Sequence, residues 1–579
     1  MAMTIHKSKN VIDYNAVFSR YYLAVCKSAN TYNYTMLSQY IRRFIFNMGI
    51  FLMSIGSVGF VYQFVYNVDR HVSVFEYMSL LPLSFTIGKM IHTGLISVTG
   101  FALRLINRGR PSVCNTPITN RTAILFLTYN ENPNYILKRL DYVMKSLQKE
   151  KDGDMYDFFV LSDSTDQSII EKERDVFAYI AGIKYRRRQV NDNAKVGNVR
   201  DFCEKYGSEY EYMLVMDSDS LMDGNVIIEI TRTIESDSSI AIAQPSIYII
   251  NSQSVFAKSH QFMNWVSSPS QVVGMNFWNC GKGLYYGHNA IMRIKPYYDL
   301  CKLPNINARW FRSLNGHVLS HDFVEAVLLS KEGYKVVNVF VERGSYEEMP
   351  PNIIDYAKRD LRWCRGNMQH LLLNAMIPNI PLHNRFQLFL SPMAYFGSFL
   401  WLLLIGASIG NALLVSNGTK TILNLQIDYR PILFSIMLIL APYYIGFLDH
   451  LCNGNISSFG GIIPYTSSVC VSLILHTITA PIFMIYHITF IGYILIGKAV
   501  HWAVQNRESS HLPFWRTLID QCANIIIGIC LLALIITEKL WLLLTICTGL
   551  VLSPIITVLT SYKIPTSWVW RCPGDSIEF

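Results

Sequence analysis

Two aspartates two residues apart, Asp217 and Asp219, follow the apolar run Tyr212–Met216. A short apolar run closed by polar turn residues reads as a buried strand. Ligands of open α/β sheets bind beyond the carboxyl ends of such strands. Two carboxylates there can share one hard cation, Mg2+ or Mn2+, which takes one or two carboxylates and fills its shell with substrate phosphates. An ion so placed would neutralise a diphosphate leaving group. The competing reading is that these residues only cap the next helix.

Other residues suit the same chemistry. Asp163 follows the strand-like Asp157–Leu161, where it can touch a nucleotide base or ribose, or simply make an Asx-turn. Arg186, Arg187 and Arg188 can grip phosphate by forked hydrogen bonds, or form a solvated face. Lys195 fits a donor pocket better, because Gly197 beside it permits close backbone approach. Asp322, in GHVLSHDFVE, can serve as general base toward an acceptor hydroxyl or cap a helix. Arg359, Arg362 and Trp363 share one helix face at i, i+3, i+4. The arginines can clamp a pyrophosphate and the indole can stack on a sugar. The same segment also reads as a basic amphipathic helix on a membrane surface, and both can hold.

The elements that must position these groups come from the apolar patterning. Thr122–Thr128, Asp157–Leu161 and Tyr212–Met216 are continuous apolar runs separated by polar helical stretches. That pattern predicts a parallel sheet covered on both faces, a Rossmann-like α/β domain over residues 111–382 that ends in the amphipathic helix. Around it the 579-residue chain is unusually apolar, 51% hydrophobic and 16% charged, against about 25% charged in soluble domains. Uncharged runs occupy Phe44–Tyr66, then Phe386–Val415, Pro431–Leu448, Ile462–Gly497, Gln521–Thr537 and Leu540–Tyr562. Tyr77–Ile106 is similar but holds Lys89, which either marks a function or snorkels to an interface. A span needs about 20 residues, so the expectation is two transmembrane helices over 44–106 and a bundle over 386–562. A cytoplasmic segment 1–43 precedes them and a short tail 563–579 follows, with seven or eight spans in all. Ile462–Gly497, with Pro464 and Pro481, reads as one span plus an interfacial or re-entrant piece.

Basic residues set the orientation. Lys7, Lys9, Arg20, Lys27, Arg42 and Arg43 precede the first run, and Arg104, Arg108 and Arg110 follow the second. The positive-inside rule puts both flanks in the cytoplasm. The net charge of +9 suits anionic lipid; no finger, basic zipper or RNA motif points to nucleic acid. None of the twelve Cys forms a CxxC pair, which argues against a zinc cluster or disulfide framework. The first 40 residues hold no apolar h-region, so no cleavable signal peptide is expected.

Taken in order, the strand-end acid, the paired aspartates, Ser320-His321-Asp322 and Arg359-Asp360-Leu361-Arg362-Trp363 resemble the family-2 processive glycosyltransferases of cellulose, chitin and hyaluronan synthesis. Arg359 stands where that group usually has Gln. GHNAIMRIKP (287–296), LSHDFVEA (319–326), GSYEEMPPN (344–352) and KRDLRWCRGN (358–367) are more narrowly similar to the glucans biosynthesis glucosyltransferase H family. YRRR (185–188) and SPIITVLTS (553–561) extend the likeness, which covers about Arg121 to Ser561.

The resemblance implies a GT-A domain inserted in an all-α multi-span membrane domain of the bacterial inner membrane, with the catalytic domain cytoplasmic. It implies inverting transfer from UDP-glucose with Mg2+ (or Mn2+) onto a growing β-glucan. Asp163 and Lys195 would line the UDP pocket. Asp217 and Asp219 would flank the diphosphate, Asp219 as the direct metal ligand. Arg359 and Arg362 would hold the donor, and Asp322 would be the base. Trp363, His288, Asn289 and His321 would meet the acceptor, although His288 reads equally as a packed core histidine. An acyl carrier protein and a periplasmic glucan-processing protein are partners at the family level. Trp502, Gln505 and Arg507 lie on a loop placed to gate the site, and Trp401, Tyr443, Tyr444, His476, His487 and Trp502 are of the type that lines a glucan path. A polyprenyl-phosphate-linked glycosyltransferase and a catalytically idle nucleotide-sugar sensor stay open as alternatives.

Overall fold

The computed structural model describes residues 32–65, 74–106, 114–309, 311–414, 430–497, 511–538, 543–564 and 568–577. Ten strands form two sheets: β1 Thr122–Thr128, β2 Tyr156–Ser162, β3 Ile183–Arg187, β4 Tyr212–Met216, β5 Leu221–Met222, β6 Ile240–Pro245, β7 Tyr248–Ile250, β8 Ala290–Arg293, β9 Lys335–Val339 and β10 Ser345–Glu348. The main sheet runs β3-β2-β1-β4-β8-β6-β9 and the small one β5-β10-β7. β3, β2, β1 and β4 are mutually parallel, while β8 is antiparallel to β4 and β6.

Both faces of the main sheet are covered. Successive strand side chains point to opposite faces, and β1 divides accordingly. Ile124 and Phe126 join one core with Ile136, Leu140, Ile227 and Ile230 of the helices Pro133–Leu147 and Gly224–Ser236. Ala123, Leu125 and Leu127 join another with Val199, Phe202 and Ala326 of Ala194–Tyr206 and His321–Lys331. This is why β1, β2 and β4 are apolar throughout instead of alternating. The paired aspartates follow β4, and Asp163 follows β2, as expected.

The apolar helices differ more from expectation. Among the described residues three helices are long and apolar enough to cross a membrane, Ile41–Gly59, Leu382–Ala407 and Ile462–Leu495, or five if two bent pairs each count as one. The sequence suggested seven or eight. Phe514–Asp520 and Cys522–Thr537 meet at 66°, and Leu544–Val551 and Ser553–Ser561 at 64°. At the second bend Pro554 sits in the first helical turn, a position its missing N–H tolerates while ending the helix before it. Ile462–Leu495, by contrast, is one continuous helix through Pro481, not a span plus a separate piece. It runs along the α/β segment. Tyr465 near its start packs in one core with Tyr248 and Trp265, and Phe490 and Ile494 near its end pack with Leu314 and Cys364. Lys89 lies on the surface of Val74–Ile106.

The α/β segment is not confined to its sheet. Its helix Val255–Asn279 packs against Val74–Ile106 and Arg430–Cys452 at glycines. A Cβ on Gly100 would lie 1.6 Å from the Ser270 carbonyl oxygen, and one on Gly274 1.9 Å from that of Ile96. Gly446 meets Val266 O in the same way, at 2.4 Å. Beside this contact the buried Arg104 guanidinium pairs with Asp449 at 2.8 Å and lies over Phe340. The tail is docked as well. The Trp570 indole donates to Ser472 Oγ at 2.7 Å, and Gln261 Nε2 to Asp575 Oδ1 at 2.8 Å.

Candidate active site

The site is built at the tips of β2 and β4 and around the turn before β8. Asp217 closes β4, and its amide donates to Ser220 Oγ at 3.0 Å, which shapes the turn carrying Asp219. Lys195 Nζ donates to Asp217 Oδ1 and, at 2.9 Å, to the Gly287 carbonyl. Burial alone would push the Asp217 carboxyl up. Lys195, with His288 and His321 further off, outweighs it and holds the group below its ordinary value. Gly287 adopts φ +93°, and a Cβ there would stand 3.3 Å from Asp322 Oδ2. The run Asp217–Lys195–Gly287–Asp322 is therefore continuous, and the paired aspartates and Asp322 share one site.

Asp322 lies in the first turn of His321–Lys331, where the helix dipole favours an anion. Ser320 Oγ donates to its Oδ1 at 3.1 Å. The loop before it is held by Ile353–Met376, the helix of Arg359 and Trp363. Gly366 allows that helix to touch Ser320: a Cβ would be 2.7 Å from Ser320 Cβ. Buried Gln369 accepts from the Leu319 amide at 2.9 Å and donates to the carbonyls of Leu314 and His317 at 3.0 Å. His370 Nε2 meets the Ser320 carbonyl at 2.9 Å. None of Gly366, Gln369 and His370 was singled out from sequence, although all three follow Trp363 within two helical turns.

Arg359 stacks between rings, its guanidinium 5.3 Å from the Tyr356 centroid and 4.5 Å from that of Trp363. Trp363 stays 47% exposed, enough to offer ring surface to a ligand. Arg362 lies one turn from Arg359, on the same face.

His288 belongs to the site and not to a core. Its Nδ1 is 3.2 Å from Ser220 Oγ and its Nε2 3.3 Å from Glu347 Oε2. Burial opposes its protonation. Glu347 first, then Asp217 and Asp219, raise it to about 9. Glu347 is in turn held below its ordinary value against its own burial by His288. Glu347 lies within GSYEEMPPN (344–352), where its one sequence signal is an acid beside Glu348 in a four-residue strand.

Several expectations need correction. Asp163 is buried with both oxygens bound to Arg188, at 2.8 and 2.5 Å, so it presents no open carboxylate to a ribose. Arg188 also donates to the carbonyls of Asp192 and Ala194, shaping the turn that presents Lys195. Arg186 binds Asn198 and Asp201, and Arg187 the Ser164 carbonyl. The arginine run is thus internal scaffolding, neither a phosphate grip nor a solvated face. Gly197 does permit close approach, but to the chain itself, with Asp192 O 1.9 Å from a Cβ. Asn289 is fully buried and donates to Ser345 Oγ and Tyr346 O at 3.0 and 3.1 Å, which removes it from any acceptor. His321 turns to buried Glu325, 3.1 Å away, which raises it against the effect of burial. His476 stacks on His260 at 4.5 Å and His487 binds Asp360, so both are taken up in protein contacts. Trp502, Gln505 and Arg507 lie outside the described residues.

No group of three or more His, Cys, Asp or Glu forms a metal cage among the described residues. The oxygen donors Asp217 and Asp219 still fit a hard cation that draws its remaining ligands from a diphosphate and water.

Comparison with known proteins decides the family. The glycosyl transferase family group 2 pattern matches residues 212–571. Glucans biosynthesis glucosyltransferase H of Shewanella oneidensis is 34% identical over 446 residues, 73% of this chain and 60% of that protein. The protein of that name from Shewanella baltica strain OS155 is 32% identical over 501 residues, 83% and 68% of the two chains. The chain belongs to the glucans biosynthesis glucosyltransferase H family of group 2 glycosyl transferases. Against the Shewanella oneidensis relative, this family member spans about 60% of the length. Among solved structures, a mannosyltransferase from Pyrobaculum calidifontis in complex with GDP-Man and Mn2+ is 13% identical, over 65% of this chain and 99% of its own, at a TM-score of 0.39. The mixed seven-stranded sheet with β8 reversed is the α/β GT-A domain expected of the family.

Proposed function

We propose that this protein is an inverting glucosyltransferase that polymerises glucose from UDP-glucose into a β-glucan on the cytoplasmic side of the bacterial inner membrane, and passes the product outward. The continuous run Asp217–Lys195–Gly287–Asp322 supports this reading, because Lys195 and Gly287 link the paired aspartates, suited to a diphosphate, to an acid suited to act as base. The acceptor hydroxyl gives its proton to Asp322 and attacks the anomeric carbon from the face opposite UDP. The C–O bond to the diphosphate breaks, and charge develops on the departing oxygen. Lys195 and Arg362 are the fixed cations that stabilise it. A divalent cation held by Asp219 and Asp217 would neutralise the diphosphate further. Trp363 offers the acceptor a ring to stack on. Protonated His288, anchored by Glu347, adds positive charge beside the paired aspartates.

The test is incubation of the purified full chain with UDP-glucose and Mg2+ or Mn2+, followed by UDP release and linkage analysis of the product. A β-glucan polymer supports the reading. A single glucosyl unit on a polyprenyl phosphate would replace it with a lipid-linked transferase. Binding of UDP-glucose without release of UDP would replace it with a sensor.

A further inference from the structure

Two polar tethers reach the active site from one helix, Leu382–Leu414, whose stretch Leu382–Ala407 is a candidate span. Ser391 and Tyr395 stand one turn apart on it, at i and i+4, and so share a face. Ser391 Oγ meets His370 Nδ1 at 2.7 Å, and His370 Nε2 meets the Ser320 carbonyl at 2.9 Å. A carbonyl only accepts, so Nε2 carries the proton and Nδ1 is left to accept from the Ser391 hydroxyl, which it shares with the Leu388 carbonyl 3.0 Å away. That tether ends two residues before Asp322. One turn on, Tyr395 OH donates to Asp360 Oδ1 at 2.9 Å. Asp360 Oδ2 accepts from His487 Nε2 at 2.9 Å, and His487 Nδ1 meets Ser398 Oγ at 2.8 Å. Asp360 sits between Arg359 and Arg362 in sequence and is buried; both of its oxygens are engaged. That tether ends on the helix of Arg362 and Trp363.

Among the described residues, the hydrogen bonds of Lys195, Asp217 and Asp163 do not reach helix Leu382–Leu414. Lys195 and Asp217 hold one another and Gly287, and Asp163 is locked to Arg188. These groups stand on the sheet and on helix Ala194–Tyr206.

We infer that the site is built in two halves, with Asp360 and His370 as positioning residues through which Ser391 and Tyr395 of the apolar helix Leu382–Leu414 set where Asp322 and Trp363 stand against a donor held on the sheet. This rests on the function proposed above. Loosening a tether lets the base and the acceptor platform drift while the donor pocket stays intact. Activated donor then meets water in place of a well-placed sugar hydroxyl, so UDP release uncouples from polymer growth.

Tyr395→Phe and Ser391→Ala each remove one hydroxyl and leave the apolar packing in place. Purified full-length variants are assayed for UDP released, glucose incorporated into polymer and KM for UDP-glucose. The expected result is about a tenfold fall in incorporation for each, since small misplacements of reacting groups cost that much or more. The KM stays within about twofold of wild type, and the ratio of UDP released to glucose incorporated rises. Asp360→Asn, which keeps the shape but weakens the bonds from Tyr395 and His487, shows the same split. An active wild type whose variants keep its incorporation and ratio would overturn the tethers. So would loss of donor binding in step with incorporation, the sign of general unfolding. A wild type that releases no UDP would instead sink the glucosyltransferase reading, and this inference with it.

Discussion

His288 Nε2 lies 3.3 Å from Glu347 Oε2, joining the turn before β8 to strand β10 of the small sheet beside the paired aspartates. Glu347 first, with Asp217 and Asp219, lifts the imidazole from 6.5 to about 9 against the effect of burial. The folded chain holds this proton more tightly than the unfolded one. The His288 proton therefore contributes its stability fully at pH 6.5, as long as Glu347 stays ionised, and loses it as pH rises through about 9. The midpoint of thermal unfolding of the full chain is expected to fall between about pH 7 and about pH 10, and Glu347→Gln to flatten that slope. An unchanged slope in the variant would show that His288 takes its proton from another source.

Asp322 has its carboxylate over Gly287 and its loop fixed by Gln369 and His370. Asp322→Asn keeps the shape and removes the base. UDP release is expected to fall by about 10²–10⁴-fold, the range for a general base. UDP-glucose binding, measured by calorimetry, should persist, because Lys195 and Asp217 are untouched. A variant that turned over at the wild-type rate would move the base elsewhere.

How much of this was legible beforehand depended on whether the signal was local. β1, β2 and β4 are buried on both faces, so each announces itself as an unbroken apolar run, and the acids after them follow by position. β10 is four residues, Ser-Tyr-Glu-Glu, with no apolar period to mark it, so Glu347 passed without a role. Asp163 and Arg188 are 25 residues apart and Asp360 and Tyr395 35, and nothing in either segment encodes its partner. Bends are likewise hidden from composition, which reports apolarity and not direction: the turn before Ser553 lies inside an apolar stretch. Val255–Asn279 carries Lys258, His260, Gln261 and Asn264 and so read as soluble, yet its Gly274 lets it pack against an apolar helix backbone to backbone.

Gly366 marks a close approach of helix Ile353–Met376 to Ser320, the residue that opens helix His321–Lys331. In Gly366→Ala the new Cβ would stand 2.7 Å from both Cβ and the amide nitrogen of Ser320. The Ser320 backbone cannot rotate away as a flexible side chain does, so the loop before Asp322 must shift. Overpacking of this kind typically costs about 1–3 kcal/mol. A lower melting temperature is expected, together with a fall in turnover greater than that seen for a similarly destabilising change on the edge strand β9 of the main sheet, such as Val336→Ala. Equal activity at equal stability would show that the contact only packs.

Asn289 separates a structural role from an acceptor-binding one. It holds φ +51°, a left-handed conformation that Asn tolerates and Ala does not, and its amide bridges Ser345 and Tyr346. Asn289→Gly relieves the backbone and loses only the two bonds; Asn289→Ala loses the bonds and adds strain. Each lost bond to a buried partner costs about 1–3 kcal/mol, and the strain about 1–2 kcal/mol more. The melting temperature is thus expected to fall in the order wild type, Asn289→Gly, Asn289→Ala. The acceptor KM should stay level in the fraction that remains folded, because the side chain lies beneath β10 and out of the ligand's reach. If Asn289 touched the glucan, Asn289→Gly would raise the acceptor KM at an unchanged melting temperature, and β10 would have to be moved from the wall of the site to its mouth.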